Sequence, residues 1–163
     1  INEKRVLRIN SDIVSNYKNI AENNDVIFVL DSFMERTKIS AEEYLMIIKE
    51  TLKLSKPHNN KIFIKFHPEQ KELIRKKTFD FITKEFEFER IITLKDSCIL
   101  EFEFLKSKNL TVIGMHTSLL YYAKRLNHHV LSSIKFTSSL SKIDKYINHI
   151  MDKNQKEEYK GYE

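Results

Sequence analysis

Two short stretches place anion-holding groups where a strand gives way to a helix. The first is Lys61–Gln70, KIFIKFHPEQ, whose apolar run ends in His67-Pro68. The second is Gly114–Ser118, GMHTS. Pro68 suits the first position of a helix, where an N–H would lack a partner anyway. A residue before proline is pushed out of the α region, so His67 is expected to stand extended at the helix N-cap, its imidazole beside free amides. Those amides carry about half an elementary positive charge, and the corner they form favours a phosphate. In the second stretch the strand stops at Gly114 and a helix begins near Thr117-Ser118. Two neighbouring hydroxyls there can cap the helix, receive a phosphate, or do both, and His116 adds a third donor. The chemistry read from these residues is anion binding, with His67 also able to donate a proton.

Plainer readings exist for each residue. With six histidines in the chain, a His-Pro pair arises by chance about one time in four, so the pair gains weight only from its place after a strand. Ser and Thr at a helix start are more often simple caps than ligand-binding groups. His128-His129 begins a strand, His58 and His149 read as surface residues, and no metal-ligand spacing joins the histidines. We therefore expect no metal and no cofactor. The chain has two glycines and neither a P-loop nor G-x-G-x-x-G. G-x-S-x-G is absent too, which disfavours serine-hydrolase chemistry.

Helices and strands must bring the two stretches together. At 163 residues, with 41% hydrophobic and 31% charged side chains, the chain reads as one soluble domain with a real core. No apolar run approaches the 18 or so residues that cross a bilayer. The net charge of +5 is spread among 23 acidic residues without a basic block or a stacking platform, so nucleic acid is not an expected partner. Cys98 is the sole cysteine and cannot form an internal disulfide, in keeping with a reduced, cytoplasmic setting. The chain begins at Ile1, and we expect it to be a piece of something longer.

Residues 1–25 are polar and weakly periodic and read as a linker or peripheral helix. VIFVL, Val26–Leu30, is a strand buried on both faces. Ser40 and Glu43 form a capping box opening a helix to about Leu54, whose inner face is Tyr44, Ile47, Ile48, Thr51 and Leu52; Pro57 follows its end. KIFIKF is the next strand, and Glu69 to about Phe86 the next helix. There follow a strand at Arg90–Leu94, a short helix at Ser97–Lys106, the strand Thr111–Gly114, a helix at Thr117–Leu126, the strand His128–Leu131 and a last helix at Ser141–Asp152. Residues 153–163 are expected to be a flexible tail. Alternation of strands and helices predicts βαβ units, hence an α/β domain over residues 26–152: a Rossmann-like open, mostly parallel sheet with helices on both faces.

In order, VIFVLDSF, ISAEEYLMIIKE, KIFIKFHPEQ, DSCILEFEFL and VIGMHTSLLYYAKRLN, spanning roughly Val26 to Ser133, resemble the C-terminal, nucleotide-sugar-binding domain of GT-B glycosyltransferases. The likeness is to the bacterial sialyltransferases and polysialyltransferases of capsule and lipooligosaccharide synthesis. It implies that His67 and Pro68 match a His-Pro motif, and that Thr117 and Ser118 match a Ser/Thr-Ser motif following Gly114. Both would serve the phosphate of CMP-sialic acid, with His67 as stabiliser or general acid. It further implies an inverting transferase with a glycan acceptor, a separate N-terminal acceptor-binding domain, and a place in the cytoplasm or on the inner face of the cell membrane. The family's acidic D/E-D/E-G motif does not stand in this sequence. The alternatives are a transferase of the same architecture using CMP-Kdo or CDP-glycerol, and a non-catalytic Rossmann-like regulatory or assembly module.

Overall fold

A computed structural model describes residues 15–55, 61–115, 117–137 and 140–162, together with the side chains of all of these except 135 and 141. Pro57, His58 and His116 lie outside that set.

Five parallel strands form one sheet in the order β3-β2-β1-β4-β5. They are β1 (Val26–Val29), β2 (Lys61–Lys65), β3 (Arg90–Thr93), β4 (Thr111–Gly114) and β5 (His129–Ser132). Val26–Val29 pairs in register with Ile62–Lys65 on one side and Thr111–Gly114 on the other. The apolar runs behave as the pattern predicts: β1 is buried throughout, as are Ile62 to Lys65 and Val112 to Gly114. Parallel neighbours need a crossover of a dozen or more residues, and the crossovers are the helices. These are α1 (Phe33–Thr37), α2 (Ala41–Lys53), α3 (Glu72–Glu85), α4 (Leu100–Lys106), α5 (Ser118–Arg125), α6 (Ile134–Thr137), α7 (Ser141–Ile150) and α8 (Lys153–Lys160). The domain is a Rossmann-like open α/β sheet, as expected.

The boundaries of α2 follow local rules. Glu43 N–H donates to Ser40 Oγ at 3.1 Å while the Glu43 carboxylate accepts from Ser40 N–H at 2.7 Å. Its buried side is Tyr44, Ile47, Ile48, Thr51 and Leu52, the stripe read from the sequence. Glycine-poor turns are solved with asparagine. Asn24, Asn109 and Asn127 each adopt positive φ (70°, 55° and 62°) two residues before a strand begins, a conformation asparagine tolerates better than most residues.

Several expectations are corrected. Residues 153–160, expected as a frayed tail, form α8, because Asp152 and Gln155 build a second capping box and Tyr159 and Tyr162 are buried. The preceding helix accordingly ends at Ile150 rather than Asp152. The helix after β3 starts at Leu100 rather than Ser97, since Cys98 N–H closes a turn onto the Lys95 carbonyl. The short helices α1 and α6 carry too few residues for a period to show. Residues 17–21, within the stretch read as a linker or peripheral helix, are held against α4 by fully buried Glu103, which accepts from the Ile20 and Ala21 amides and from the Tyr17 hydroxyl.

Ser40→Ala removes the capping oxygen of α2. It should lower unfolding stability by about 1 kcal/mol, read as a reduced urea midpoint at unchanged m value. An unchanged midpoint would show that the box contributes nothing.

Candidate functional site

The chain builds outward from β1 to β2 and β3, then crosses back to β4 and β5. Ligands of open α/β sheets bind outside the carboxyl ends of the strands, where the strand order reverses. Here that point is the end of β1, between β2 and β4. Val29 lies beside Lys65 and Gly114, so His67 and Thr117 stand just beyond, on either side of it. With strands about 4.8 Å apart, the ends of β2 and β4 are separated by about 10 Å. The two turns therefore flank the crevice position of an open α/β sheet, one on each side of the β1 end.

His67 and Pro68 do not sit as the sequence suggested. α3 begins at Glu72 with Lys71 as its N-cap, so Pro68 is not at the first helical position and His67 is not the cap. They form a turn instead, closed by Gln70 N–H onto the His67 carbonyl at 3.0 Å, a use of proline as ordinary as a helix start. The amide at the Lys71 cap already donates to a carboxylate, Glu35 Oε1 at 3.2 Å, so a side chain of the protein stands where an external anion was expected.

The turn still aims the imidazole. His67 N–H donates to Gln70 Oε1 at 2.9 Å, and Gln70 Nε2 donates to the Tyr44 hydroxyl at 2.6 Å. Glu69 N–H donates to His67 Nδ1 at 3.2 Å. An amide can only donate, so Nδ1 is the acceptor and the neutral ring carries its proton on Nε2. Burial pulls the His67 pKa below the ordinary histidine value; the nearby Glu69 carboxylate opposes this and Arg36 reinforces it. At neutral pH this is a neutral imidazole with a fixed donor.

Across the crevice, Thr117 is the N-cap of α5 and its Oγ1 accepts from Leu119 N–H at 3.3 Å. The capping reading thus holds for Thr117, while Ser118 is exposed at the first helical position. Gly114 permits the close approach of α5: a Cβ there would lie 3.2 Å from Leu120 Cδ2 and 3.3 Å from the Val29 carbonyl oxygen. The Thr117 carbonyl accepts from the Tyr159 hydroxyl of α8 at 2.8 Å. His128, set aside in the sequence, is buried at the opposite edge, with Nδ1 accepting from Leu110 N–H and Nε2 2.7 Å from the Phe104 carbonyl. His149 is exposed. Among the described residues, no group of His, Cys, Asp or Glu side chains is placed to hold a metal ion.

Other polar groups at this edge were not singled out in the sequence. Glu69 Oε2 accepts from Ser32 Oγ at 3.2 Å and from Arg36 Nε at 2.8 Å, and Arg36 Nη1 donates to the Tyr146 hydroxyl at 2.7 Å. The Arg36 guanidinium holds the Glu69 carboxyl below its ordinary range. Asp31 follows β1, and burial pushes its pKa up to about 7. Only their place after a strand could have marked Asp31 and Ser32; nothing local marked Arg36, whose partners are 33 and 110 residues away.

The alpha-2,8-polysialyltransferase (POLYST) family profile matches residues 2–138. The chain belongs to the alpha-2,8-polysialyltransferase family. No curated protein matches it significantly. Membership makes this polysialyltransferase-family chain a sialyltransferase-like protein of the glycosyltransferase class, whose substrates are a nucleotide-sugar donor and a glycan acceptor. The match takes in both turns and β1 to β5 and ends before α7. No helix among the described residues is long and apolar enough to cross a membrane.

The raised Asp31 pKa has a signed consequence. In the unfolded chain the group titrates near 3.8; its folded pKa is higher, so the stabilisation it contributes is complete below the unfolded value and is lost as pH rises through about 7. Asp31→Asn removes that ionisation. The melting temperature of the variant relative to the parent should be higher at pH 8 than at pH 5, and a difference that is flat with pH would refute the assignment.

Proposed function

We propose that this chain is the donor-binding domain of an inverting bacterial sialyltransferase or polysialyltransferase, taking CMP-sialic acid in capsule or lipooligosaccharide synthesis. The observation that carries the reading is the placement of His67 and the Thr117–Ser118 helix start on the two sides of the β1 end, where the strand order reverses. Family membership supports the donor class. The phosphate of CMP lies over the end of β1, taking a hydrogen bond from His67 Nε2–H on one side and from Ser118 and the α5 amides on the other.

In the reaction, the acceptor hydroxyl attacks the anomeric carbon of the sugar while the bond from that carbon to the phosphate oxygen breaks. A carboxylate of an N-terminal acceptor-binding domain takes the acceptor proton. Charge accumulates on the departing CMP phosphate, where a fixed donor stabilises it more in the transition state than in the ground state. His67 donates a hydrogen bond from Nε2–H to the leaving oxygen and keeps its proton: the neutral imidazole that burial favours is a good donor but too weak an acid to give the proton up.

The chain should bind CMP in calorimetry, bind UMP more weakly, and transfer no sialic acid by itself, since the acidic motif is not in this sequence. A hydrogen bond to a charged group contributes roughly 1.5–3 kcal/mol, so His67→Ala should weaken CMP about tenfold to 150-fold. Ser118→Ala and Thr117→Ala should each weaken it less, because helix amides remain. His149→Ala, exposed on α7, is the control. Sialyl transfer by this chain alone would sink the two-domain account, and CMP affinity within twofold of the parent in His67→Ala would sink the site.

A further inference from the structure

Besides Gln70, a side chain from neither of the two motifs grips the His67 turn. Arg75 lies in the first turn of α3, where a cation opposes the helix dipole. Its placement therefore does not serve the helix. Arg75 Nε donates to the Gln70 carbonyl at 3.0 Å, and Nη2 donates to the carbonyls of His67 at 3.1 Å and Pro68 at 3.3 Å. The same guanidinium grips the Asp96 carboxylate, with Nη1 at 3.1 Å from Oδ1 and Nη2 at 3.1 Å from Oδ2. It also lies over the Phe66 ring, 5.8 Å from the centroid, and its side chain is only 18% exposed. Asp96 is itself anchored: buried Lys65 at the end of β2 donates to the Lys95 and Asp96 carbonyls at 2.8 Å each.

We propose that Arg75 is a positioning residue for His67, fastening the His67–Gln70 turn to the loop after β3 so that the imidazole keeps its aim and its Nε2–H form. The inference rests on the reading of His67 given above for its consequence in binding, but not for the geometry itself. Turn carbonyls that converge without a donor repel one another, and a planar guanidinium with five N–H groups answers three of them and a carboxylate at once. With the carbonyls of His67 and Pro68 fixed, the Glu69 amide between the turn's ends is held toward His67 Nδ1. Without Arg75, the turn is free to rotate that amide away, and Nδ1 can take the proton instead. A lysine carries its donors at one point and cannot span carbonyls and carboxylate together.

The test follows the imidazole nitrogens of His67 by 15N NMR in the whole 163-residue chain, alongside CMP calorimetry and thermal unfolding. His67→Ala identifies the signals. In the parent, His67 should show a single Nε2–H form. Arg75→Gln should move it toward the mixture of an unconstrained histidine and weaken CMP about tenfold, the low end of what losing the outer hydrogen-bond partner of a metal-binding histidine costs. Arg75→Lys should restore neither. A lower melting temperature with an unchanged His67 spectrum in both variants would overturn the proposal, leaving Arg75 as a stabilising residue only. An altered spectrum with unchanged CMP affinity would uphold Arg75 and overturn the phosphate role of His67. Should Arg75→Gln not fold, Asp96→Asn keeps the arginine while weakening its anchor. The His67 spectrum should then shift in the same direction, and an unshifted one overturns the proposal.

Discussion

The candidate site depends on β1 being hydrogen-bonded in parallel to a strand on each side. A parallel strand cannot turn straight back into its neighbour, so each of these strands leads into a crossover, and the turns that follow the strands gather at one edge of the sheet. Because the chain travels outward from β1 in one direction and then in the other, two of those turns diverge there, the arrangement that marks the ligand position in open α/β sheets. β1 contributes no side chain from either motif. It works by being buried throughout, which rules out any register that would expose Ile27 or Phe28.

At that edge, charge is managed by short-range pairs. Glu35 occupies the amide at the start of α3, Glu69 occupies Arg36, and Asp96 occupies Arg75. Exposed pairs of this kind contribute little to stability, and Arg36 with Glu69 belongs in that class. Arg75 differs because its side chain is mostly enclosed and its partners include three backbone carbonyls of one turn. The proposed phosphate site would thus offer fixed donors and a neutral imidazole rather than a field of free lysines. Specificity of that kind arises from geometry more than from net charge.

Segments far from the crevice in sequence also reach it. Tyr159 of α8 donates to the Thr117 carbonyl and Tyr146 of α7 accepts from Arg36, so helices beyond the family match touch both sides of the site. At the other end of the described chain, buried Glu103 gathers the amides of residues 20 and 21. A carboxylate is tolerated there because backbone N–H groups and a tyrosine hydroxyl answer its oxygens.

The sequence by itself determined what depends on near neighbours and on apolar runs. VIFV and KIFIK are continuous and β-rich, and both are strands; Ser40 and Glu43 are three residues apart, and both capping bonds form. Those interactions close over a few residues, so their outcome can be read from spacing. The parallel sheet followed from alternation, because crossover length and handedness leave few topologies. It could not say whether Pro68 would open a helix or a turn, since proline suits both, and the choice fell to Gln70, Tyr44 and Arg75 closing around His67. Only the tertiary structure decided that residues 153–160 fold onto the domain and that His67 presents Nε2–H. Each of these turns on a donor and acceptor, or a buried ring and its cover, competing with water until the whole sheet brings them together.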